Sequence, residues 1–197
     1  MTEGVDADER ATGSVPDDSA LLMAAKEGDT SAFDSLVRTH TNRLYRVALR
    51  IVDDPVEAED AVQEAWVSAW RALATFRGDA AASTWLYRVV TNAALSQVRK
   101  RKPTVPLDLT EESPLTAVSP EGTGDPEGAA LREEETRRVH TAIARLEPSQ
   151  RLPLVLRELE GMSYEEVAEV LEVNITALRS RLHRARLALL TELREVP

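Results

Sequence analysis

At 197 residues, 43% of them apolar and 29% charged, the chain can build one ordinary domain or two small ones around packed cores. It has no cysteine, which excludes disulfides and thiolate metal sites, and its three scattered histidines, His40, His140 and His183, suggest neither a metal nor another cofactor. No run approaches the ~20 apolar residues of a membrane span, and the start, MTEGVDADER, lacks the basic and apolar segments of a signal peptide. A cytoplasmic protein without membrane insertion is expected.

Residues 1–18 are acidic and nearly free of large apolar groups, the composition of a disordered tail. Asp18 is placed to cap a short helix reaching about Lys26, ended by Gly28-Asp29. A long helix follows from about Ser31 to Val52, with Phe33, Leu36, Val37, Leu44, Val47, Ala48 and Ile51 along one side. Asp54-Pro55 is an N-cap followed by an N1 proline. The third helix then runs to about Leu73 and buries Ala58, Val62, Ala65, Trp66, Ala69 and Leu73. A break at Thr75–Ala82, containing Gly78-Asp79, precedes a fourth helix that begins near Ser83, packs Leu86, Val89, Val90, Ala93 and Val98, and stops at Pro103. Its basic end, Arg99 to Lys102, suits the helix dipole and equally suits phosphate.

Residues 19–102 thus form a first folded domain. Residues 103–130 hold five prolines, three glycines and no base, a flexible linker with an r.m.s. span of about 30 Å. Asp125-Pro126 opens the second half, whose folded domain is taken as 131–197. Its first helix carries Leu131, Val139, Ile143 and Leu146. The next runs from about Pro148 to Glu160, with Gly161 as its C′ residue. No strand-like alternation occurs, so the fold class expected is all-α.

The stretch after Gly161 is the most specific. Ser163 and Glu166 form a capping box, and Tyr164, Val167, Ala168 and Leu171 line one face of a short helix. Glu172-Val173-Asn174 makes a turn, with Asn174 as N-cap of a longer helix. There Leu178, Leu182, Ala185 and Leu189 face inward, while Arg179, Ser180, His183, Arg184 and Arg186 face out. This is a helix-turn-helix pattern whose second helix suits a DNA major groove. The arginine fork can bond both acceptors of guanine or grip phosphate.

The charge of −10 is unevenly spread: residues 1–18 carry −5 and residues 103–130 carry −6, whereas 19–102 carry +2 and 131–197 carry −1. Acidic segments repel phosphate, so a larger partner that helps hold DNA is expected.

With both halves in view the chain resembles the extracytoplasmic-function (ECF, group four) sigma factors of bacterial RNA polymerase. The resemblance rests on AEDAVQEAWVSAWRAL (58–73), FRGDAAASTWLYRVVTNAALSQVRKR (76–101), LRELEGMSYEEVAEVLEV (156–173) and LRSRLHRARLAL (178–189), in that order around the proline-rich linker. It implies a first domain, sigma region two, that binds core RNA polymerase and opens the −10 promoter element. The second domain, sigma region four, would read the −35 element of promoter DNA.

The positions matching the polymerase-docking edge are Asp60, Gln63 and Glu64. Those matching the −10 capture and melting element are Phe76, Arg77, Gly78, Asp79, Ser83, Thr84, Trp85, Arg88 and Asn92. For Trp85 the residues leave core packing and base stacking both open; for Tyr87 packing is favoured. The −35 positions are Thr176, Arg179, Ser180, His183 and Arg184. Many relatives carry Gly, Pro and Gly where this chain has Glu172, Asn174 and Thr176. The resemblance further implies an anti-sigma factor as partner. A stand-alone helix-turn-helix regulator is the alternative from another class and would dimerise and bind duplex DNA unaided. The sequence offers no phosphate loop or nucleophile-base pair, so no enzyme is expected.

Overall fold

A computed structural model describes residues 17–78, 81–101 and 126–195, the side chains of 126–133 and 195 excepted. Most of the acidic tail, most of the linker and Asp79 lie outside the described residues. Within them the fold is all-α, as expected, and no strand occurs. Helices α1 (Asp18–Lys26), α2 (Thr30–Val52), α3 (Pro55–Ala72) and α4 (Ala82–Lys100) build the first half, and a 3-10 turn at Leu73–Thr75 follows α3. The second half holds α5 (Pro126–Arg145), α6 (Pro148–Leu154), α7 (Tyr164–Val170) and α8 (Ile175–Glu195).

Local chemistry sets most of the boundaries. Asp29 accepts from the Ser31 amide at 2.9 Å and starts α2. The chain leaves α2 through Asp53, a left-handed residue at φ 56°, and Asp54 then caps α3 by accepting from the Glu57 amide at 2.8 Å. The cap of α1 is Asp17 rather than Asp18, a one-residue shift between two equivalent carboxylates. Helix α5 begins at Pro126, so the last five residues of the segment expected as linker, 126–130, are helical.

The helix expected as continuous from Pro148 to Glu160 changes character midway. Pro153 lies inside α6, with no amide to give and a ring that crowds the preceding turn. After it the chain widens into a π-turn at Val155–Leu159, and the Glu160 amide reaches back to the Val155 carbonyl at 3.0 Å. Gly161, at φ 71°, closes the element.

Two apolar clusters form the interior. The smaller one joins Leu22, Phe33, Leu36, Leu73 and Phe76 at one end of the first half. Phe33 meets Trp66 and Trp70 edge-on, with centroids 5.7 and 5.0 Å away. The larger cluster is continuous across both halves, from Leu44, Val47, Ile51, Leu86 and Val90 to Ile143, Leu156, Val167, Leu178 and Leu182. The halves therefore share one core: α2 lies against α5, α6 and the π-turn, and α4 against α7.

Candidate nucleic-acid interface

The helix-turn-helix forms as the sequence dictates. The Glu166 amide donates to Ser163 Oγ at 3.1 Å, and the Ser163 amide returns to Glu166 Oε2 at 2.7 Å. That second bond is the main reason the Glu166 carboxyl sits below its ordinary pKa. Asn174 Oδ1 accepts from the Ala177 amide at 2.7 Å and starts α8. Leu178, Leu182 and Ala185 are fully buried, while Thr176, Arg179, Ser180, His183 and Arg184 are all exposed. Arg179 is steadied by the Tyr164 ring, 5.8 Å from guanidinium to centroid. Arg186, two turns further along α8 and also beside Tyr164, pairs with Glu158 at 2.5 Å, which occupies it structurally.

The described residues of the −10 group differ in their access to the surface. Phe76 is only 5% exposed and packs on Trp85 at 5.2 Å between centroids. Thr84 is 1% exposed. Both are packed into the core of this structure, unlike the rest of the described group. The periodicity of α4 alone could not reveal this, because Phe76 folds back from the 3-10 turn onto α4's first turn. Arg77 and Gly78 are exposed, Gly78 at φ 78°, and Ser83 and Trp85 are half-buried.

Arg88 is committed elsewhere: its Nη2 donates to the Glu169 carbonyl at 3.0 Å and to Glu169 Oε1 at 3.2 Å, on α7. Asn92 is exposed at a cleft of about 510 Å³ between the halves, lined also by Arg99, Pro148, Val170 and Arg181. Tyr87 packs, as favoured, and its hydroxyl donates to Glu160 Oε2 at 2.8 Å. Burial first, and then the adjacent carboxylate, raise the Tyr87 pKa well above its ordinary value, so it remains a donor.

On α3, Asp60, Gln63 and Glu64 are exposed together. Glu64 accepts at 3.4 Å from both Gln97 Nε2 and Lys100 Nζ of α4. Sequence reasoning missed Val56, Val67 and Trp70, large apolar side chains that are 68%, 48% and 46% exposed. Their signal was available: positions 56, 60, 63, 67 and 70 recur at helical spacing and make one mixed acidic and apolar stripe. No helix among the described residues is long and apolar enough to cross a membrane.

Comparison with known proteins agrees with this two-part architecture. The family model described as sigma-70 region 2 matches residues 36–104, and that described as sigma-70, region 4 matches 136–189. The chain belongs to the ECF-type RNA polymerase sigma factors, a family of transcription initiation factors. It is 40% identical over 177 residues to the RNA polymerase sigma-H factor of Pseudomonas aeruginosa, covering 87% of this chain and 91% of that one. To the ECF RNA polymerase sigma-E factor of Escherichia coli K12 it is 35% identical over 176 residues, covering 87% and 92%. Among solved structures it is similar to CnrH in complex with the cytosolic domain of CnrY, with a TM-score of 0.67, 28% identity, and coverage of 91% and 99%. The fold is also that of the sigma factor RpoE bound to the anti-sigma factor NepR from Bartonella quintana, at a TM-score of 0.63, 24% identity, and coverage of 82% and 96%.

Proposed function

We propose that this chain is a promoter-specificity subunit that binds core RNA polymerase, carries it to promoters through a −35 and a −10 element, and promotes melting. It works where the polymerase is, in the cytoplasm, and has no catalysis of its own. The observation that carries the reading is the order of two sigma modules on one chain, the second exposing a basic recognition helix. In this reading Thr176, Arg179, Ser180, His183 and Arg184 contact the −35 element. Arg77, Gly78, Ser83, Trp85, Arg88 and Asn92 serve the −10 element. Asp60, Gln63 and Glu64 dock on polymerase, and the exposed Val67 and Trp70 add apolar area to that edge, the kind of residue on which interface energy concentrates. An anti-sigma factor is a fitting partner, since the sigma factor RpoE of the same fold was solved with one.

Transcription in vitro from a promoter library, with core polymerase and this protein, tests the reading. Initiation confined to a subset of promoters is expected, and none without the protein; initiation that ignores the protein would sink it. Asp60→Lys combined with Glu64→Lys inverts the charge of the docking edge and is expected to weaken core binding roughly tenfold or more. Normal affinity at moderate salt would place the interface elsewhere.

A further inference from the structure

The seam between the halves contains a buried carboxylate with three donors. Glu160, at the end of the π-turn in the second half, has only 6% of its side chain exposed. It accepts from Arg50 Nη1 at 2.7 Å and Arg43 Nε at 3.1 Å, both on α2, and from Tyr87 Oη at 2.8 Å on α4. Nearby, Arg151 of α6 donates to the Ile51 carbonyl of α2 at 2.6 Å and to the Leu146 carbonyl at 3.0 Å, joining the ends of two helices from opposite halves. Arg88 of α4 meets Glu169 of α7 further along the same seam.

This closed arrangement conflicts with two-element promoter reading. Asn92 of α4 and Arg181 of α8 line one cleft. DNA elements named for positions 25 base pairs apart are ~85 Å apart along a duplex at ~3.4 Å per pair. In addition, Arg88 Nη2 is engaged by the Glu169 carbonyl and carboxylate, and that carboxylate repels a phosphate brought to the same guanidinium.

Resting on the sigma reading, we propose that the chain carries an intrinsic latch, centred on Glu160 with Arg43, Arg50 and Tyr87, that holds a closed state which must open before polymerase-dependent promoter recognition. A carboxylate stripped of water is stable there only while its donors stay in place. Removing its charge therefore works against the seam itself, not against either half alone. The latch also lowers the apparent affinity for polymerase, because only the open fraction is competent. Breaking it should strengthen core binding, the reverse of what a merely destabilising change does.

The chain has no native cysteine, so cysteines introduced at the exposed Ser68 of α3 and Thr191 of α8 can be labelled uniquely in the full-length protein. Distance distributions from spin or fluorophore pairs are expected to show one short, narrow population in the parent. Glu160→Gln and Arg50→Ala should move the closed-to-open ratio roughly tenfold or more toward long distances, with helical content unchanged by circular dichroism. Unlabelled variants should bind core polymerase more tightly by about the same factor. Unchanged distances in both variants, or a parent already broad and long, would overturn the latch. Should Glu160→Gln lose helical content, Arg43→Ala, altering a more exposed donor, decides by the same distances. Failure of the parent to bind polymerase at all would instead refute the sigma reading, and the distances test the latch without reference to it.

Discussion

The two helices proposed to touch DNA stand in different positions. Helix α8 buries one stripe, Leu178, Leu182 and Ala185, and leaves its whole proposed reading face exposed. Helix α4 is covered by α3 on one side and α7 on another, and of its proposed group Thr84 is interior, Arg88 is paired and Asn92 sits at the cleft. A helix packed on one side announces its function through its own periodicity. A helix packed on two sides has its available surface decided by distant segments.

The contrast is put at greatest risk by Asn92→Ala. Asn92 is the exposed amide on a helix otherwise largely occupied, and holding an extruded base must offset an unstacking cost of a few kcal/mol. The variant is expected to lose open-complex formation by about tenfold to hundredfold while closed-complex binding persists. A template already mismatched across the −10 region should recover part of the loss. Phe76→Leu serves as the counterpart: as a core residue it should lower thermal stability by about 1 kcal/mol and leave permanganate reactivity at the −10 region largely intact. Equal melting by Asn92→Ala and the parent would remove Asn92 from the site, and a selective melting defect in Phe76→Leu would restore Phe76 to it.

What could be read in the sequence, and what could not, follows the same division. The capping box at Ser163, the Asp54-Pro55 start and the Asn174 cap depend on residues two or three apart, and each is present with its hydrogen bond. The seam depends on pairs such as Arg88–Glu169 and Arg151–Ile51, separated by 81 and 100 residues. Nothing in local pattern links those positions, and a charge count by segment says nothing of which charges pair across segments. The π-turn was missed for a different reason: Pro153 was visible, but whether a proline kinks, ends or widens a helix depends on the packing around it. That widening places Glu160 against α2, so the part that escaped local reading is also the part that joins the halves.

Smaller effects are expected on the open face of α8. Arg179→Ala and Arg184→Ala remove donors without disturbing the buried stripe, so the fold and core-polymerase binding should be retained. Where either arginine reads a guanine through both ring acceptors, its loss should cost about 1–3 kcal/mol of discrimination at that base and much less at others. Transcription across a panel of −35 substitutions measures this position by position. A uniform loss would assign the residue to phosphate rather than base, and no change would remove it from the interface. Arg186→Ala should instead act through lost pairing with Glu158, with little change in promoter preference.

The smallest change separates the three departures from the common family pattern in the turn before α8. Glu172 sits in the left-handed region at φ 52° and is exposed, so its side chain gains no burial that offsets the crowding of its Cβ. The turn is otherwise sound, with the Val173 amide on the Ala168 carbonyl at 3.0 Å. Glycine adopts this conformation freely, although it gives the unfolded chain more entropy to lose. The net expectation for Glu172→Gly is a gain of about 0.5–1 kcal/mol, seen as a melting temperature higher by about 2–3 °C. Thr176→Gly should go the other way by about 0.3 kcal/mol, because position 176 lies within α8, where glycine is a weaker helix former than threonine. Asn174→Ala should cost about 1 kcal/mol through loss of the cap to the Ala177 amide. Since Glu172→Gly keeps the backbone path into α8, −35 preference should be unchanged. A lower melting temperature in that variant would mean that the Glu172 side chain makes a favourable contact outweighing its backbone strain.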